Sequence, residues 1–180
     1  MDLVAFYQAF SPACFTLLAL WIVVVQLRLD QWQKDPVRQR RAYGVALHFV
    51  LPGMMGVLAL VDPAVHAFWQ VSFAIVALGG ALVMAAVRGF PVPAERRSGF
   101  RRLPAADRLG VAAYATAIVL YVTIGVLALF GGADVLRTEA VLLTTLVFLG
   151  FNVAWLLLFA GGSQAPAAPS GTAAPSGTMG

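Results

Sequence analysis

The sequence predicts an all-α, polytopic membrane protein, a bundle of five transmembrane helices with its N-terminus outside and its C-terminus inside. Three observations predict it. Of 180 residues, 61% are hydrophobic and 11% charged, too few charges to cover a soluble globule of this size. The apolar residues fall into five continuous runs, each near the roughly 20 residues that cross a bilayer as a helix. They do not alternate in period two, which excludes a β-barrel. Almost all basic residues sit in two of the connections between these runs.

Residues 1–11 are expected to be an extracytoplasmic N-terminal segment. They either lie along the interface or extend the first span with a kink at Pro12. They lack the basic region and small-residue cleavage site of a signal peptide. Residues 12–160 form the five-helix transmembrane domain, with spans at about 12–29, 42–61, 66–88, 109–131 and 138–160. Three helix starts share a capping side chain followed by proline: Ser11-Pro12, Asp35-Pro36 and Asp62-Pro63. The side-chain oxygen accepts from a free N–H, and proline occupies a position that needs no N–H partner. The second helix therefore begins as early as Pro36, and Asp62-Pro63 makes a short hairpin to the third span. Residues 161–180 carry no charge and repeat AAPSGT in tandem. Such a composition buries no core and predicts a disordered cytoplasmic tail.

Orientation follows from charge. The first connection holds Arg28, Lys34, Arg38, Arg40 and Arg41, and the third holds Arg88, Arg96, Arg97, Arg101, Arg102 and Arg108. The other side has Arg137 with Asp2, Asp62, Asp134 and Glu139. The positive-inside rule makes the first and third connections cytoplasmic and places the protein in the cell membrane as a multi-pass protein. Trp32, Trp69 and Trp155 fall at span ends, where interfacial aromatic belts form. With a net charge of +4, the expected partner is the bilayer itself. Arg40, Arg41, Arg96, Arg97, Arg101 and Arg102 would contact anionic headgroups, and no nucleic acid is expected.

Catalytic templates are missing. There is no G-x-S-x-G, no H-E-x-x-H, no P-loop and no dinucleotide fingerprint, so no enzyme and no cofactor is expected. One cysteine, Cys14, permits neither an intrachain disulfide nor a paired-cysteine metal site. The spans hold no Asp or Glu away from their ends, which counts against coupled cation transport. The two histidines, His48 and His66, lie near opposite faces of the membrane, about 9 and about 33 Å from the cytoplasmic ends of their spans. They cannot share a metal or haem within one chain, and a site across a dimer would need two copies of His48.

His48 has the richer surroundings. Gly44, His48, Pro52 and Gly56 recur every four residues and are expected to share one face of span two. Pro52-Gly53 is expected to break that helix near mid-bilayer. Asn152, Tyr114 and Trp21 fall at similar depth. Two functions fit. One is transport or ligand binding through an inner-leaflet polar crevice centred on span two. The alternative is a non-catalytic accessory or assembly subunit, packing against a partner membrane protein or a second copy. Small residues at helical spacing, Ala77, Ala81 and Ala85, then Ala113 and Ala117, predict close approach of spans three and four.

Overall fold

The computed structural model describes residues 2–32, 35–61, 66–88, 105–131 and 135–159. The chain is all-helical, with five helices long and apolar enough to cross a membrane. The Asp62-Pro63 hairpin, Arg96, Arg97, Arg101, Arg102 and the tail 161–180 lie outside the described residues.

Helix α1 runs Leu3–Leu27, not from Pro12. Its cap is Asp2, whose carboxylate accepts from the N–H groups of Val4 at 3.0 Å and Ala5 at 3.3 Å. Ser11-Pro12 is thus a step inside the helix. Proline forfeits one helical hydrogen bond there, but Pro12 lies on the exposed side while Ser11 turns inward. Capping chemistry beside a proline is ambiguous when another cap, one turn or more upstream, opens the same helix. A short helix, α2 (Leu29–Trp32), follows. Helix α3 spans Pro36–Val61 and begins where the sequence predicts, with the Asp35 carboxylate accepting from Val37 and Arg38 N–H at 3.0 and 3.2 Å. It continues through Pro52-Gly53 without interruption, contrary to the expected break. Helices α4 (His66–Arg88), α5 (Ala105–Phe130) and α6 (Val135–Phe159) complete the bundle.

Helix α3 is central, packing against α1, α4 and α6, while α5 packs against α4 and α6. The starts of α1, α4 and α6 mark one end of the bundle. There the Tyr7 hydroxyl donates to Leu136 O at 3.3 Å and Gln70 donates to Gly131 O at 3.1 Å. At the opposite, arginine-bearing end, Arg28 donates to Leu158 O at 3.3 Å, placing a cation at the negative C-terminus of α6. The α4–α5 interface is built from small residues as expected. Ala77, Ala81, Ala117 and Ala128 are buried, and a side chain on Gly125 would press on Leu78 at 2.9 Å.

The tryptophans depart from the belt pattern. Trp155 is exposed, but Trp32 and Trp69 are buried. Span-end position sets the depth of a side chain along its helix, not the side of the helix on which it stands.

Candidate functional site

His48 is fully buried in α3, and its Nδ1–H donates to the Gly44 carbonyl at 2.7 Å. A carbonyl only accepts, so the neutral ring carries its proton on Nδ1. Nε2 keeps a lone pair that meets no hydrogen-bond partner. The ring stands edge-on to Tyr114 at 5.8 Å between centroids. Tyr114 fills the notch left by Gly44 and donates its hydroxyl to Arg41 O at 3.0 Å. On the other flank, His48 occupies the space that a side chain on Gly150 of α6 would need. The structure therefore brings together Gly44, His48 and Tyr114, and adds Gly150, which sequence reasoning missed.

The other expected members part company with them. Each four-residue step turns about 40° around a helix, so Gly44 and Gly56 are about 120° apart. Gly44 meets Tyr114 of α5, whereas Gly56 meets Ser11 of α1. The expected single face is a spiral across several neighbours. Pro52 is buried; without an N–H it leaves the His48 carbonyl without its helical donor. One residue earlier, Leu47 O accepts from the Tyr121 hydroxyl at 3.3 Å. Asn152 is exposed, its amide turned back on its own helix to donate to Phe148 O at 2.8 Å. The buried stripe of α6 is Glu139, Leu143, Leu146, Gly150 and Val153, and Asn152 lies on the opposite side. Its depth suits His48 and its azimuth does not. Around His48 the notches at Gly44 and Gly150 are filled, by Tyr114 and by His48 itself.

A recess does exist nearby, at the arginine-bearing end. Trp21 donates its indole N–H to Ala42 O at 2.9 Å and lies 5.9 Å from Trp32 between ring centroids. Both indoles wall a groove of about 300 Å³ between α1, α2 and α3. Val25, Leu29, Ala46 and Tyr43 give it an apolar lining, and Gln26 and Gln39 bring amides to it. Arg40 and Arg41 are exposed within one turn of Gln39 and Tyr43. The short helix α2 is what folds Trp32 back over Trp21, and nothing in the local sequence announces that return.

The largest departure concerns Glu139. The sequence places it at the outer end of the fifth span, among the few charges of that side. Helix α6 begins at Val135, a turn earlier than expected, and Glu139 is 0% exposed within it. Neither carboxylate oxygen has a hydrogen-bond partner. The acid still stands near the end of its span, as the sequence reading has it, but it faces the interior of the bundle rather than water. Its signal in the sequence was the seven-residue spacing of Glu139, Leu146 and Val153, which puts the acid on the buried stripe.

Among the described residues, no group of three or more His, Cys, Asp or Glu could hold a metal ion. The fold and these features define an apolar five-helix bundle with an interior polar cluster and a surface groove. No family model, curated protein or solved structure matches the chain.

Proposed function

We propose that this is a multi-pass protein of the cell membrane, non-catalytic, that binds an amphipathic anionic lipid at the cytoplasmic leaflet. The N-terminus lies outside, and the connections α1–α3 and α4–α5 lie inside. The observation that carries the binding function is the groove walled by Trp21 and Trp32. Its volume is at the low end for ligand pockets, and a mostly apolar wall with a few polar groups is their usual chemistry. An acyl chain would occupy the apolar wall while the headgroup meets Arg40 and Arg41, each near-surface cation contributing about 1 kcal/mol toward an anionic leaflet. The ligand-binding function expected at His48 is in this way moved to the neighbouring side of α3.

The test is native mass spectrometry of the full chain released from membranes containing neutral and anionic lipid. Wild type should retain one anionic lipid per chain. Ala46→Trp fills the groove and should weaken retention about tenfold or more, as should Arg40→Gln with Arg41→Gln to a lesser degree. Equal retention in Ala46→Trp would remove the groove as the site. Co-purification with one partner protein and no retained lipid would favour the accessory-subunit function instead.

A further inference from the structure

We propose that Glu139 is a proton-binding site, its carboxyl holding a proton while α1 is seated on the bundle. This site is at the opposite end of the molecule from the lipid groove and does not depend on it.

The geometry leaves the carboxyl few ways to exist. It is 0% exposed, and both oxygens lack a hydrogen-bond partner. The free N–H groups of the first turn of α6 do not reach it, since none donates to either oxygen. An isolated ionised carboxylate in such surroundings costs far more than a neutral acid. A bound proton removes the charge without requiring space that the packed interior does not have.

Among the described residues, the groups around it do not offer an alternative counter-charge. From α1, the Tyr7 hydroxyl donates to Leu136 O, one turn before Glu139. Ser11, also buried on α1 and one turn beyond Tyr7, has a hydroxyl without a partner. From α3, the titratable side chain turned into the bundle is His48, which sits against Gly150, eleven residues or about 16 Å along α6 from Glu139. Leu143 and Leu146, both 0% exposed, fill the interval. From α5, the Tyr114 and Tyr121 hydroxyls donate to carbonyls of α3. On α6 itself, Arg137 is exposed and two residues away, about 200° around the helix. Among the described residues no cation faces the carboxyl.

Helix α1 controls access. It has the smallest buried share of the five long helices, with 17% of its most apolar stretch inside the structure. Its Tyr7–Leu136 bond ties it to α6 beside the acid. Lifting α1 would admit water, and the proton would leave to that water from the carboxyl oxygen, leaving a hydrated carboxylate. Reseating α1 would require the proton to return.

Infrared difference spectroscopy of the full chain in liposomes tests the proposal. At neutral pH, wild type minus Glu139→Gln should show one protonated carboxyl C=O band per chain. Should Glu139→Gln fail to fold, ¹³C-glutamate labelling answers the same question, because the chain has two glutamates, Glu95 and Glu139. The Glu95→Gln protein so labelled should still shift the band. In deuterated buffer the band should shift slowly in wild type and about tenfold faster in Tyr7→Phe, which loses the tie to α6. Carboxylate stretches in place of the C=O band would overturn the proton site. Equal exchange rates in wild type and Tyr7→Phe would overturn control by α1.

Discussion

At Gly44 one methyl group decides whether the Tyr114 side chain of α5 can reach α3. A side chain there would overlap the Tyr114 hydroxyl, the same hydroxyl that holds Arg41 O at 3.0 Å. Gly44→Ala should therefore displace the tyrosine and lower stability by about 1–3 kcal/mol, the usual cost of overpacking. Gly79 lies in a helix too, but an added side chain meets nothing within 4 Å. Gly79→Ala should be neutral or stabilising by up to about 1 kcal/mol, since alanine is the better helix former. Thermal unfolding of both variants in detergent separates local packing from helix propensity. Equal effects would mean that Tyr114 yields at no cost. His48 is the companion case. It is buried, bonded to Gly44 O, and packed between Tyr114 of α5 and Gly150 of α6, neighbours that its spacing from Gly44 and Pro52 does not reveal.

Among the elements, α3 carries the assembly. Its notches receive a different partner at each level: Tyr114 at Gly44, Cys14 and Phe15 at Gly53, and Ser11 at Gly56. Pro52 sits between them, buried and inside an unbroken helix. Replacing it with alanine restores the N–H that the His48 carbonyl lacks and favours the isolated helix. It also removes ring atoms from a packed site and redirects the three notches relative to one another. Pro52→Ala should keep its helical circular dichroism while losing about 1–3 kcal/mol of stability. An increase in melting temperature would show that the local hydrogen bond outweighs the packing. The Pro52-Gly53 pair was legible as an irregularity. That neighbouring helices hold it straight enough to stay helical was not, because that depends on groups far away in the chain such as the Tyr121 hydroxyl.

For the whole molecule, charge asymmetry sets the expected orientation. Eleven of twelve basic residues fall in or beside the first and third connections of the sequence, and basic connections are retained in the cytoplasm. In a Cys14→Ser background, Ser98→Cys should resist an impermeant thiol reagent in intact cells and react after permeabilisation. Labelling in intact cells would reverse the proposed topology. In the proposed orientation the Trp21–Trp32 groove would face the cytoplasmic leaflet and Glu139 the outer one, so this experiment also orients both sites.

The sequence by itself determined the helical class, five helices of membrane-crossing length, the Asp35 cap of α3 and the small-residue contact of α4 with α5. Each is a property of one segment: apolar length, a side chain beside its own backbone, or a repeat of small residues along one helix. The tertiary structure alone decided azimuth and company. It turned Asn152 outward and Ser11 inward, spread Gly44 and Gly56 over two neighbours, folded Trp32 onto Trp21, and buried Glu139. Depth along a helix accumulates by a constant rise per residue and can be counted from a span end. Rotation has no such fixed origin in the sequence, because it is set by which neighbouring helices compete for each face, and those neighbours come from distant parts of the chain.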